Sequence, residues 1–122
     1  MSPIPLHEWK WFGSAGHLII SDRCRFHLCT QVGKFLVSTV GEYVPRDAAP
    51  DDIWPGKDIG LNRKYETMVF AAKGPCMRPD CRCGLPGLRR SELDFEGYNI
   101  RGDAAQGHLA MCMKWAAKEL KP

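Results

Sequence analysis

Two nine-residue runs, CRFHLCTQV at 24–32 and FLVSTVGEY at 35–43, are joined only by Gly33 and Lys34, and no other feature constrains the chain as strongly. A two-residue connection between β-like runs closes a tight antiparallel hairpin, and glycine at its first position suits a type II′ turn. Val32 then faces Phe35, and the pairing continues through Cys29 with Ser38, His27 with Val40 and Arg25 with Glu42. Because side chains alternate along a strand, one face of this hairpin carries Cys24, Phe26, Leu28, Val32, Phe35, Val37 and Tyr43, an apolar set that should pack on a core. The other face carries Arg25, His27, Cys29, Gln31, Ser38 and Glu42, with Arg25 and Glu42 as a cross-strand ion pair. That polar face is either solvent surface or the floor of a site.

Three further runs read as strands: HLIIS at 17–21, YETMVF at 65–70 and a weaker ELDFEGY at 92–98. Pro, Gly and Asp cluster in PRDAAPDDIWPGKDIG and KGPCMRPDCRCGLPG, which read as the long loops. Trp9, Trp11 and Phe12 read as an aromatic anchor for the sheet. The stretch DAAQGHLAMCMKWAAKELK reads as one helix with Asp103 as its N-cap, lysines towards its end and an apolar stripe of Ala105, Leu109, Cys112, Met113, Ala116 and Leu120. Gly107 should weaken its first turn by about 1 kcal/mol. The expected fold is α+β: a curved antiparallel sheet of about four to five strands with the C-terminal helix packed across it.

At 122 residues, 44% of them hydrophobic and 25% charged, the chain has the size and composition of one globular domain spanning 1–122. No run of 18 apolar residues exists, so no membrane span is expected, and the N-terminus does not resemble a signal peptide. The expected location is the cytoplasm of the host cell. Six cysteines in such a setting favour thiols or metal ligands over a disulfide framework.

The strongest chemical signal is Cys76-x4-Cys81-x-Cys83 in the Pro/Gly-rich loop, followed by His108-x3-Cys112 on the helix. Residues four apart on a helix share a face, and zinc takes four sulfur or imidazole ligands in a tetrahedron. Cys76, Cys81, Cys83, His108 and Cys112 are therefore five candidates for a structural zinc site with four places. A disulfide within the loop and unligated thiols are the alternatives.

Arg78, Arg82, Arg89 and Arg90 surround the cysteines and suit contacts with nucleic acid or ligand phosphates. On the polar sheet face, His27, Cys29 and Glu66, with His17 from a neighbouring run, are weaker candidates for a catalytic or ligand-binding set, because a thiol beside an imidazole can become a nucleophile. Arg25, Arg63 and Lys64 would then serve as phosphate contacts for a nucleotide-like ligand. Whether the protein is an enzyme stays open at this level. Arg101-Gly102-Asp103 spells an adhesion tripeptide, but its place at the helix start gives it a structural job.

The segments WFGSAGHLI, CRFHLCTQVGKFLVSTVGEYVP, NRKYETMVF, ELDFEGYN and GDAAQGH-x3-C-x2-WA resemble a family of small uncharacterised proteins encoded by phages and prophages of proteobacteria. The likeness covers most of the chain in scattered blocks. It implies a phage setting and supplies no catalytic residues. The expected function is that of a small phage-type accessory protein, stabilised by zinc, that binds a host protein or nucleic acid; a homo-oligomer is compatible with it.

Overall fold

A computed structural model of the protein describes residues 4–12, 24–44, 58–59, 62–75 and 86–119. The strands are β1 (Lys10–Phe12), β2 (Cys24–Val32), β3 (Phe35–Tyr43), β4 (Tyr65–Pro75) and β5 (Pro86–Tyr98), and one helix, α1 (Arg101–Glu119), follows them. The strands form one open antiparallel sheet in sequence order, β1 to β5, and α1 packs across β2, β3, β4 and β5. This is the α+β arrangement that the sequence pattern predicts.

The central hairpin has the register read from the sequence: Val32 opposite Phe35, Cys29 opposite Ser38 and His27 opposite Val40. Gly33 adopts φ 60°, the left-handed value that the first position of a type II′ turn requires. The expected strand at 17–21 lies outside the described residues. The described strand that precedes β2 is β1, built from the aromatic segment and paired Trp11 with Thr30 and Phe12 with Cys29. β4 and β5 are longer than expected. They pair as far as Ala72 with Leu88 and Pro75 with Pro86, so the flanks of the stretch read as a loop are hairpin stem.

The core lies between sheet and helix. Trp9, Val32, Val37, Val69, Met111, Cys112 and Ala116 are buried together, with Ile4, Phe35 and Trp115 packed against them. Each such aliphatic side chain taken out of water contributes about 1.5–3 kcal/mol. The N-terminal segment is strapped along α1. The Ile4 N–H donates to the Ala116 carbonyl at 3.4 Å, and the Trp9 indole N–H donates back to the Ile4 carbonyl at 3.2 Å. The ring of Phe35 meets that of Trp115 edge-on at 4.7 Å.

The helix starts earlier than its sequence suggests, with the Ala104 N–H bonded to the Ile100 carbonyl. Asp103 is therefore inside the first turn instead of capping it, where its negative charge still favours the positive end of the helix dipole. Gly107 has a packing reason. A Cβ there would stand 2.1 Å from the Tyr98 hydroxyl, so only glycine lets the Tyr98 ring lie against the helix. Among the described residues, no helix is long and apolar enough to cross a membrane.

The opposite face of the sheet is buried over its central strands and exposed over β5, where Glu92 and Phe95 lie. Cys29, Leu36, Ser38, Val40 and Phe70 are all buried there, with Phe12 and Ala72 packed against Cys29 and Leu36. Between the two alternatives that alternation left for this face, burial favours a covered floor.

Candidate functional site

The apolar stripe expected on α1 is rotated from the one observed. The buried positions are Ala104, His108, Met111, Cys112 and Ala116, while Leu109 is 46% and Met113 65% exposed. Ala105 is half-buried, and Leu120 lies outside the described residues. A histidine has taken the place of a leucine in the interior. This requires compensation, because an unpartnered buried polar group costs about 1–3 kcal/mol.

The compensation comes from three threonines, one on each central strand. His108 is fully buried, its Nε2 lies 2.9 Å from the Thr30 hydroxyl and its Nδ1 2.7 Å from the Thr39 hydroxyl. Thr39 in turn lies 2.6 Å from its cross-strand partner Thr67. Thr30 also bonds the Cys112 side chain. A neutral imidazole has one N–H and one lone pair, so the ring donates to one hydroxyl and accepts from the other. Burial lowers the His108 pKa to about 4, which keeps the ring neutral near neutral pH. Trp11, with its ring centroid 6.2 Å from that of His108, flanks the histidine and is itself 51% exposed.

Two charged clamps fix the rotation of the helix. At its first residue, Arg101 donates through Nε to Glu42 Oε2 at 2.7 Å and through Nη2 to Glu42 Oε1, and the Tyr65 hydroxyl donates to Glu42 Oε2 at 2.6 Å. Glu42 is 2% exposed and has φ 54°, a left-handed conformation for a non-glycine residue. Strict alternation assigns Glu42 to the face opposite α1. Its observed bonds, to Tyr65 and the helix residue Arg101, correct that assignment. The Arg101 hydrogen bonds hold its carboxyl below the usual range, and the charge of Arg25 adds to the effect. Further along, Asp94 accepts from Lys114 Nζ at 2.7 Å and from the Trp115 indole N–H at 2.9 Å.

These groups were legible only in part. Thr30 and Thr39 fall on the apolar hairpin face once the register is drawn, and polar residues among inward positions signal a buried partner. Nothing in the spacing identified His108 as that partner. Glu42 with Arg101 carried no local signal, since its left-handed backbone breaks the alternation that the sequence reading relied on.

Of the expected metal ligands, His108 and Cys112 do lie on one side of α1, both in the interior. Burial pushes the Cys112 thiol up to about 12. Both His108 nitrogens already have hydroxyl partners, so metal coordination by this ring would require one of those bonds to be given up. Cys76, Cys81 and Cys83, together with Arg78 and Arg82, lie outside the described residues. Among the described residues no group of three or more His, Cys, Asp or Glu side chains is arranged to hold a metal ion. Arg89 is exposed on β5, and Arg90 is its neighbour on that strand.

His17 is likewise outside the described residues. His27, Val40, Glu66 and Gly97 form one row across β2, β3, β4 and β5. Val40 separates His27 from Glu66 by two strand spacings, about 10 Å at the backbone. Burial raises the Glu66 carboxyl pKa, with help from Glu92. Cys29 is one pleat from His27, buried, and its thiol is pushed up to about 12 by burial first and then by Cys112. A thiol held so far above neutrality is a poor nucleophile. His27 Nδ1 is buried and has no hydrogen-bond partner among the described residues. Arg63 is exposed and Lys64 half-buried on the segment preceding β4.

Among the described residues, two of the exposed large apolar side chains, Leu109 and Met113, lie on α1, and the others are Leu6, Trp11, Leu93, Phe95 and Ile100. Leu109 and Met113 are one turn apart on α1, next to the buried Ala116, the residue to which the N-terminal strap is bonded. Exposed Leu6 lies in the same strap, and exposed Trp11 follows on β1. No known family model matches the chain, and no curated protein or solved structure is significantly similar to it.

Proposed function

We propose that this chain is a small accessory protein, of the phage type that its sequence resembles, which acts by binding another protein through the flank of α1 that carries Leu109 and Met113. The observation that supports this reading is the inverted helix: a histidine is buried at the cost of a hydroxyl network while leucine and methionine are left outside. Exposed apolar side chains grouped on one surface mark an interaction site more often than single ones do. Methionine and tryptophan, here Met113 and Trp11, are enriched at protein interfaces. Nucleic acid is the alternative partner, through Arg78, Arg82, Arg89 and Arg90, of which Arg89 is exposed on β5. A photocrosslinking residue placed at Met113, compared with one at Glu96, tests the surface. A specific adduct from position 113 alone supports it, and equal labelling from both positions contradicts it.

A structural zinc belongs to this proposal as a separate step. Its ligands would come from the loop cysteines and Cys112, with His108 joining only by exchanging a threonine bond for the metal. One zinc per chain after purification without added metal supports that step; a metal-free folded protein removes it.

A second reading rests on His27 Nδ1, whose buried, unpartnered state is uncommon in folded proteins. In that reading the covered sheet face holds a small ligand near His27 and Glu66. Should His27→Ala leave the response to every tested ligand unchanged while the fold persists, this second reading is lost.

A further inference from the structure

The face of the sheet turned away from α1 changes character between its centre and its β5 side. Around Cys29, Ser38 and Val40 it is buried, whereas on β5 Glu92 is exposed and Phe95 is 45% exposed. Phe95 pairs with half-buried Met68 on β4, and two residues along Glu66 pairs with Gly97, so Glu66, Met68 and Phe95 share this face. Glu92 joins them through a bulge. The register shift at Val69/Phe70 leaves Leu93 without a partner in the pairing and sets Glu92 opposite Phe70, where unbroken alternation from Phe95 would have turned it towards α1. Bulges re-aim side chains in this way beside functional sites. An apolar pair, Met68 and Phe95, is thereby bracketed by two carboxylates.

The charge of this patch selects the occupant. Glu42 is paired with Arg101 and Asp94 with Lys114, but among the described residues neither Glu66 nor Glu92 has an ion pair or a hydrogen bond. Arg63, whose stem lies over Gly97, turns its Nη1 to the Asn62 carbonyl at 3.4 Å. Burial and the charge of Glu92 both raise the Glu66 pKa, so its negative charge is held at a cost that a cation would offset. With Phe95 nearly half exposed and Glu92 exposed, the surface does not enclose a ligand as a small-molecule site does. The stem of an arginine or lysine, in contrast, covers apolar surface while its head stays charged, and its cation is attracted to an aromatic face. Phosphate would be repelled here.

We propose that this face of β4 and β5 is a second interaction surface, which takes a basic segment of a partner protein: an arginine or lysine stem lies over Met68 and Phe95, and its head reaches Glu66 and Glu92. The surface lies on the other side of the sheet from α1. This inference therefore stands independently of docking at Leu109 and Met113.

Isothermal titration of the full chain with hexaarginine, at about 0.15 M salt to screen charges beyond about 8 Å, tests it. The wild type is expected to bind. Glu66→Gln, Glu92→Gln and Phe95→Ala should each weaken binding about three- to fivefold, as the loss of one surface charge or cation–π contact does. Glu96→Gln makes the same charge change on the α1 side of the same strand and should bind like the wild type. No binding up to millimolar peptide overturns the proposal, and so does equal weakening by Glu96→Gln and Glu92→Gln, which would mark attraction to net charge alone. Free arginine that binds as tightly as the peptide would make this a small-molecule site, and a wild-type dimer that Glu92→Gln dissolves would make a second copy the occupant; either result overturns it. Circular dichroism of each variant confirms that it is folded before the comparison is made.

Discussion

The two flanks of α1 invert the usual distribution of a packed helix. The inner flank carries His108 and Cys112 among threonine hydroxyls, and the outer flank carries Leu109 and Met113 in contact with solvent. Summed hydrophobicity would turn the helix the other way. The observed rotation instead follows from directional bonds: Arg101 to Glu42 at one end, Lys114 and Trp115 to Asp94 further along, and His108 to Thr30 and Thr39 between them. Polar interactions can thus set the orientation of a helix and release apolar side chains for another use, provided every buried polar group is satisfied.

Breaking the inner flank should have the largest effect. His108→Ala removes two buried hydrogen bonds and leaves a cavity beside the threonines, a loss of about 3–5 kcal/mol in urea unfolding. A loss below about 1 kcal/mol would mean that the network does not hold the helix. The pH dependence of stability follows from the same residue. A folded His108 pKa near 4, against about 6.5 unfolded, means that the unfolded chain binds the proton first as pH falls. Stability should therefore be fully present above about pH 6.5 and decline towards pH 4, by roughly 3 kcal/mol. In His108→Gln this slope should vanish. The losses from Glu42 and Asp94, whose carboxyls are held below their usual range, should remain and set in at lower pH.

A smaller effect tests the contact between helix and β5. Gly107→Ala favours the isolated helix by about 1 kcal/mol but drives a methyl into the Tyr98 hydroxyl, so a net destabilisation of about 1–3 kcal/mol is expected. In a Tyr98→Ala background the same substitution should become stabilising, and a thermal melt of the four proteins reads the change of sign. On the outer flank, Leu109→Ser with Met113→Gln should alter stability by no more than about 0.5 kcal/mol. If that variant instead unfolds the protein, the flank is structural and the docking proposal loses its footing.

The comparison also explains how far the sequence could be read. The hairpin register was legible because a two-residue connection and strict alternation leave one solution, and the strand-then-helix order gave the α+β class. The helix orientation was not, because a hydrophobic stripe drawn on Leu109 and Met113 ignores bonds to residues distant in the chain. Thr30 and Thr39 were visible as polar residues on the inward face, yet their partner could be named only when α1 was in place. Glu42 was assigned to the wrong face because its left-handed backbone interrupts the alternation. The cysteine cluster at 76–83 remains an expectation carried by spacing alone.

The inverted helix is tested most directly by nitrogen-15 NMR of the His108 side chain between pH 8 and pH 5. A ring that stays neutral throughout, with one protonated nitrogen and both nitrogens hydrogen-bonded, is the result expected of the threonine network. A His108 that titrates near 6.5, as an exposed histidine does, would place it outside the interior and contradict the account.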